Sequence, residues 1–364
     1  MKILHLGQLI GGLDIYIRNT IAYADSSFYF VIAHGKADNS KSVMRMGKPV
    51  KEYKINLYRS LNLWNDIIGL VQTIWIIHKE KPDIIHCHSA KGGFIGRVAG
   101  FLTRTKTFYT PHAFSFLSSS SVLKRKIFIF LERIVRTNSY LLACSESERA
   151  LGIEFVHYNE KKAKVWHNSV PDASVSYSDV EIKNIPFISC IGRPCYQKNP
   201  LFLLDVIRRV AIKMPQLKFY LLGVGFYSPD LTKMKEQITE WHLEENIVLL
   251  PWISHEECLE YVQHSLFYLS VSLYEGLPLS IIEAMSLGKA IIASDVIGNR
   301  DCVKHKINGY LLPLDKDIFY EKIIEISNNH SKRVEFGKKS RELYLSDFYI
   351  NNQIQNLLKI YREA

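Results

Sequence analysis

The sequence predicts two doubly wound α/β domains, and three observations carry that expectation. A single hydrophobic core rarely grows past about 250 to 300 residues, so a chain of 364 residues divides most simply into two units. Short β-branched or aromatic runs alternate with helical patterns from end to end. Those runs are apolar throughout, as strands of a parallel sheet covered on both faces are.

Taken in order, the first half supplies "KILHLG", "FYFVIAHG", "DIIHCHS", "KTFYTPH" and "YLLACS". The second supplies "FISCIG", "KFYLLGVG", "IVLLPW", "LFYLSVS" and "AIIASD". Between them "SVPDASVSYSDVEIKN", residues 169–184, is rich in Ser and Asp and lacks periodicity, so the domain boundary falls there. The expected division is 1–176 and 177–345, with a helix over about 346–364 packing back on the first domain. Two Rossmann-like domains facing one another leave a central cleft. Ligands of such sheets sit beyond the carboxyl ends of the strands, which directs attention to the loops there.

A hydrophobic content of 47% with 12% aromatic residues describes a globular chain and excludes the disordered classes. No apolar run reaches the eighteen or so residues of a membrane-spanning helix, and the chain enters a strand pattern at once, so a cytoplasmic protein is expected. The six cysteines lack paired metal spacing, which predicts reduced thiols, no disulfide and no zinc. The net charge of +10 is uneven: 24 Lys and Arg stand against 13 Asp and Glu in residues 1–177, and 22 against 23 thereafter. A basic half suits nucleic acid, an anionic membrane face or a phosphorylated substrate, and charge does not choose among them.

The loops carry the unusual residues. After "KILHLG", Gly11 and Gly12 open a helix where backbone N–H groups could face a phosphate, although a glycine pair there is commonly only a turn. "CIGRPCYQKNP" places Arg193 and Lys198 in one loop ahead of Pro200, which suits a first helical turn. A planar fork beside a mobile point charge fits a pyrophosphate; two solvated loop cations are the alternative.

"YEGLPLSIIEAMSLG" follows the strand "LFYLSVS". It places Glu275 in the loop, Pro278 at the first helical turn, and the N–H groups around Gly276, Leu277 and Leu279 as an anion site. Glu283 lies about 7.5 Å further along the axis, near the separation of a pyrophosphate from a ribose diol. Among Ile281, Ile282, Ala284 and Met285 it needs a hydrogen-bond partner, whether a sugar diol, a lysine or solvent. His112, in "YTPHAFSF", is a general base by chemistry or a loop histidine. His86 and His88 alternate like metal ligands, but on a strand they share one face without further ligands nearby, and they read as structural or acceptor-cleft residues.

In "SSSVLKRKIFIFLERIVRTNS" one helical face carries Leu123, Ile127, Leu131 and Ile134, with Lys124, Arg125, Lys126 and Arg133 around it. It reads as a helix packed on the first sheet or as an interfacial helix on anionic lipid, and both can hold for different faces.

Together these residues resemble a family. Glu275, then Gly276, Leu277 and Pro278, then Glu283, is similar to the E-x7-E signature of the large GT4 family of retaining glycosyltransferases with the GT-B fold. "GRPCYQKN" is similar to its phosphate loop, "QLIGGLD" to its N-terminal glycine loop and "TPHAFSF" to its T-x-H loop, while "CSES" and "WHNSVPD" fall at its domain-closing turns. The resemblance spans essentially the whole chain.

It implies that Arg193 and Lys198, in the loop of Gly192 and Asn199, hold a donor diphosphate. Glu283 would accept from the ribose, and Glu275 would face the donor sugar. His112 would lie beside the reacting carbon, backbone near Trp252 and Ile253 would hold the base, and the Gly11 and Gly12 loop would close over the diphosphate. Pro194 in place of the usual leucine, and Gly-Leu-Asp in the first loop, bear on donor choice and loop geometry.

Nearest are bacterial enzymes of capsule and O-antigen assembly. The expectation is therefore a nucleotide-sugar co-substrate, UDP-hexose or UDP-N-acetylhexosamine, with no cofactor and no metal. The acceptor would be a glycan or an undecaprenyl-diphosphate-linked sugar, reached with peripheral contact at the inner face of the cytoplasmic membrane and without nucleic acid. A nucleotide-sugar 2-epimerase of the same fold, a glycogen-phosphorylase-like enzyme and a basic RNA- or polysaccharide-binding module are the alternatives. A phosphorylase would need a much longer chain, and the aromatics lack a stacking pattern interleaved with cations.

Overall fold

The computed structural model describes residues 1–36, 38, 41–58, 62–173, 185–225 and 228–364. Most of the expected linker, residues 174–184, and with it the 176/177 boundary, lies outside the described residues. The chain forms two compact units: Met1–Pro171 with Ile350–Ala364, and Asp172–Tyr349.

The first unit runs β1 (Lys2–Leu6), α1 (Gly12–Tyr23), β2 (Tyr29–Gly35), β3 (Met44–Arg45), β4 (Lys48–Pro49), β5 (Lys51–Ile55), α2 (Leu63–Glu80), β6 (Ile84–His88) and α3 (Ser89–Thr103). It continues with β7 (Lys106–Thr110), α4 (Val122–Val135), β8 (Tyr140–Ala143), α5 (Glu146–Glu154) and β9 (Ala163–Val165). The second runs β10 (Phe187–Ile191), α6 (Pro200–Lys213), β11 (Lys218–Leu222), α7 (Leu231–Glu240), β12 (Ile247–Leu250), α8 (His255–His264) and β13 (Tyr268–Ser270). It ends with α9 (Leu279–Ser286), β14 (Ile291–Ser294), α10 (Asn299–Cys302), β15 (Gly309–Leu312), α11 (Lys316–Asn328) and α12 (His330–Asp347). The final helix, α13 (Ile350–Glu363), belongs to the first unit.

The first sheet has the order β5-β2-β1-β6-β7-β8-β9 and the second β12-β11-β10-β13-β14-β15. Their pairings are parallel, with β1 set in register against both β2 and β6. The order reverses between β1 and β6 in one unit and between β10 and β13 in the other. At such switch points adjacent loops diverge to opposite faces and leave a crevice. The edge strands β5, "KEYKI", and β9, "AKV", escaped the sequence reading because their mixed polar character suits an exposed edge.

Helices α2, α3 and α4 cover one face of the first sheet, over a core containing Ile76, Ile77, Ile95 and Ala99. Helices α1 and α13 cover the other, through Ile17, Ile21, Ile354, Leu357 and Leu358. Helix α4 packs on the first sheet through one face. Phe128 and Ile129 turn toward the core, and Glu132 is buried in an ion pair with Arg97 at 2.8 Å while also accepting from the Tyr109 hydroxyl at 3.1 Å. Leu123, Ile127, Leu131 and Ile134 are left facing outward.

Helix α13 is tied down by the Tyr361 hydroxyl, which meets His86 Nδ1 at 2.6 Å, and by Trp166, whose indole N–H donates to the Gln353 carbonyl at 3.0 Å. Tyr361 is fully buried. Tyr361→Phe should cost the first unit about 1 kcal/mol for the lost hydrogen bond and Tyr361→Ala about 3 to 5 kcal/mol for the cavity, read by urea unfolding.

Candidate active site

The second unit's switch point brings together the loop after β10 and the loop after β13, and the sequence-predicted residues concentrate there. Gly192 adopts φ +154°, and a Cβ at this position would lie 2.9 to 3.0 Å from the aliphatic stem of Lys198. Glycine therefore lets the lysine fold back across the main chain. Asn199 takes the left-handed step, φ 52°, into α6, and Pro200 occupies the first helical position as the sequence predicts. A cavity here is lined by Gly192, Arg193, Lys198, Ser270 and Ser272.

Lys198 Nζ donates to Glu275 Oε1 at 2.7 Å. The Ser272 hydroxyl donates to the same oxygen at 2.8 Å and Gln197 Nε2 donates to Oε2 at 2.9 Å, so the buried carboxylate is held by three donors. Two main-chain bonds strap the loops together: Leu273 N–H to the Gln197 carbonyl at 2.8 Å, and Glu275 N–H to the Ile297 carbonyl at 3.1 Å. Below them Ser294 donates to the Ser272 carbonyl at 2.6 Å and Asn299 Nδ2 donates to the Ser294 carbonyl at 2.9 Å. The sequence reading missed Gln197, Ser272, Ser294 and Asn299. Gln197 and Ser272 lie within three residues of predicted ones, but pairing across loops has no local signal.

Pro278 stands one residue before α9 rather than in its first turn, and its carbonyl accepts from Ile281 N–H at 3.1 Å. Leu277 is buried beside it, and α9 begins at Leu279. Helix α9 is buried all round from Ile281 to Ser286. Glu283 therefore meets the requirement for a partner, and the partner is His255, whose Nε2 lies 2.7 Å from Oε1. Burial alone would lower the His255 pKa, but the hydrogen bond and charge of Glu283 raise it above its ordinary 6.5. His255 opens α8 just after Trp252 and Ile253, which occupy the loop beyond β12. Trp252 is half exposed there.

In the first unit Gly11 takes φ 60° at the start of α1, with open space on the side a Cβ would occupy. Gly12 is exposed beside it. The buried Asp38 carboxylate fixes this loop by accepting from Leu9 N–H at 2.8 Å and Gly35 N–H at 2.9 Å.

His112 and Ala113, beyond β7, are successive left-handed residues at φ 53° and 79°. The buried Glu148 carboxylate pins this turn, accepting from Ala113 N–H and Cys144 N–H at 2.7 Å each. The His112 ring bonds His88 Nδ1 through Nε2 at 3.1 Å and meets Cys144 Sγ through Nδ1 at 3.4 Å. His88 Nε2 in turn meets His5 Nδ1 at 2.9 Å. His88 and His112 can each give one hydrogen bond and take one as neutral rings, while the buried His5 Nε2 at the end of the chain meets no partner among the described residues. Burial pushes His5 and His112 down to about 3, which favours the neutral imidazole in both.

The structure also corrects the expectation that His86 and His88 have no further ligand near them. His5, on the adjacent strand, brings three histidine ligand atoms within 4.8 Å. They do not make a metal site as they stand. His86 meets Tyr361 and Thr110, and His88 is committed to His5 and His112.

Comparisons with known proteins show the family. The family model described as "Glycosyl transferases group 1" matches residues 178–343, and that described as "Glycosyltransferase Family 4" matches residues 10–174. This chain belongs to the family 4 and group 1 glycosyltransferases. The glycosyltransferase is 27% identical over 320 residues to the UDP-Gal:alpha-D-GlcNAc-diphosphoundecaprenol alpha-1,3-galactosyltransferase of Escherichia coli, covering 84% of this chain and 81% of that one. It is 23% identical over 329 residues to the capsular polysaccharide biosynthesis glycosyltransferase CapM of Staphylococcus aureus, covering 81% and 82%. Its fold matches Anabaena HepE, solved with UDP and glucose, with a TM-score of 0.81 at 18% identity over the whole of both chains. Both α/β units accord with the GT-B architecture of such neighbours.

Two outcomes follow for this glycosyltransferase. Gly192→Ala should push Lys198 out of position and raise the KM for its donor about tenfold, a loss of about 1.4 kcal/mol, with a smaller change in kcat. The folded pKa of His255 is raised, so the His255–Glu283 pair contributes its full stability below about pH 6.5 and loses it as pH rises through the raised value. The wild-type melting temperature should therefore fall over that upper range relative to His255→Gln, read by scanning fluorimetry across pH.

Proposed function

We propose that this glycosyltransferase moves a hexose or N-acetylhexosamine from a UDP-sugar to a glycan or undecaprenyl-diphosphate-linked acceptor. The reaction would serve assembly of a bacterial surface polysaccharide, with retention of configuration and without a metal. The observation that carries this reading is the second unit's switch point, where Arg193 and Lys198 line one cavity and Lys198 is paired with Glu275 in the loop that leads into α9. The printed names of the Escherichia coli and Staphylococcus aureus relatives support the substrate class.

Breaking a sugar–phosphate bond builds negative charge on the departing diphosphate, and preorganised charge opposite it lowers the barrier. Arg193 and Lys198 supply two cations and α9 adds its helix dipole. The Lys198 ammonium has three N–H bonds and Glu275 takes one, so it can hold phosphate while remaining anchored. Glu275, occupied by three donors, acts as a positioning residue facing the sugar rather than as a nucleophile. In this reading the departing phosphate oxygen accepts the acceptor's proton on the same face of the sugar, which gives retention without a protein base. His112 shapes the sugar site through its turn. Glu283 offers its carboxylate to the ribose diol while His255 balances its charge. The acceptor class places the enzyme at the inner face of the cytoplasmic membrane as a peripheral protein.

A thermal-shift series of UDP, UDP-glucose, UDP-galactose and the UDP-N-acetylhexosamines tests the reading, followed by hydrolysis of the best binder in EDTA. Stabilisation by UDP compounds, with turnover unaffected by the chelator, is expected. Glu283→Ala should weaken UDP binding about tenfold, about 1.4 kcal/mol. No shift with any nucleotide sugar overturns the proposal, and epimerisation of the donor without acceptor assigns the chain to another reaction.

A further inference from the structure

Folding leaves an unusual surface on the helical face of the first sheet. Helix α2 turns Trp64, Ile67, Ile68, Val71 and Trp75 outward, with Trp64 77% exposed. At 100° per residue they fall within an arc of about 100°. Helix α3 exposes Phe94, Phe101 and Leu102, and α4 exposes Leu123, Ile127, Phe130, Leu131 and Ile134. Helix α3 packs between the other two, so the stripes are neighbours. Large apolar patches of this kind on a folded surface mark a site that is covered in use.

Charge identifies the cover. Within α2, α3 and α4 every exposed charged side chain is a cation: Lys79 in α2, and Lys124, Arg125, Lys126 and Arg133 in α4. The acids of these helices turn inward. Glu80 and Glu132 are buried, and Asp66 is bound by Lys91 at 2.7 Å. On α4, Lys126 and Arg133 border one edge of the apolar stripe and Lys124 the other, an arrangement that places aliphatic stems along apolar surface and ammonium groups at headgroup level. Trp64 and Trp75 add amphipathic rings suited to a membrane–water interface.

We infer that the outer face of α2, α3 and α4 docks on an anionic phospholipid bilayer, with the apolar side chains entering the interface and the α4 cations binding lipid phosphates. A second copy of this chain is a poorer occupant, because an isologous contact would set cations against cations. The inference goes beyond the single helix whose sequence suggests lipid, since α2 contributes both tryptophans and no exposed acid. It rests on the proposed lipid-linked acceptor for its purpose, while its evidence is the surface itself.

The test is co-sedimentation of the full chain with vesicles of phosphatidylcholine alone or containing phosphatidylglycerol, at low and high salt. Binding to the anionic vesicles that weakens with salt is expected. Trp64→Glu with Phe130→Glu, and separately Lys124→Glu with Lys126→Glu, should each reduce it about tenfold or more. These side chains lie outside the core, and an unchanged circular dichroism melt together with unchanged UDP-induced thermal shift would show both units intact. No sedimentation with anionic vesicles at low salt overturns the inference, as do variants that sediment like wild type. A stable dimer abolished by Trp64→Glu with Phe130→Glu overturns it in favour of self-association. Vesicle binding without any nucleotide-sugar shift would leave the docking face standing and remove the proposed function.

Discussion

The ion pair between Lys198 and Glu275 is the constraint around which the second unit's site is arranged. A carboxylate buried beside α9 is costly unless its lone pairs are met, and meeting them requires two loops from different strands to stay in register. Gly192 gives the lysine room, Gln197 reaches across from the same turn, and Ser272 closes the remaining position. The main-chain bond from Leu273 to Gln197 then becomes part of the electrostatics, because a shift of either loop breaks the cage. The cage keeps the Lys198 cation at the edge of the cavity.

The two units reach order at their switch points by different means. In the second, opposite charges hold the loops. In the first, burial removes charge: His5, His88 and His112 have pKa values driven down by desolvation, and the neutral rings form a hydrogen-bonded chain between β1, β6 and the turn after β7. Tyr16 from α1 packs edge-on against His112 at 4.9 Å, which couples the glycine-loop helix to the same cluster. Both ring nitrogens of His112 are occupied, and Glu148 holds its left-handed turn in place.

How much was legible follows from what local sequence encodes. The β-branched runs and their helices were readable because periodicity is local, and "GRPCYQKN" and "YEGLPLSIIE" form the two loops that meet through Lys198 and Glu275. The edge strand "KEYKI" was not readable, since its lysines and glutamate interrupt the continuous apolar character that marked the other runs. The partner of Glu283 was anticipated as a need but not as a residue: His255 stands 28 positions away on another helix, and only the sheet order brings α8 beside α9. His5 joined His86 and His88 for the same reason, because β1 and β6 pair although 83 residues separate His5 from His88.

Helix α4 shows where pattern reading meets its physical limit. An apolar stripe at helical spacing states that one face avoids water but not what covers it, and a core and a bilayer interface impose the same period. The deciding residue was Glu132. Its carboxylate meets Arg97 and Tyr109 inside the unit, which orients the helix with Phe128, Ile129 and Glu132 inward and its Leu123 to Ile134 stripe outward. A buried ion pair contributes little net stability, but it can select one packing among several. Here it selects the orientation that exposes the apolar stripe, an arrangement that costs solubility in water.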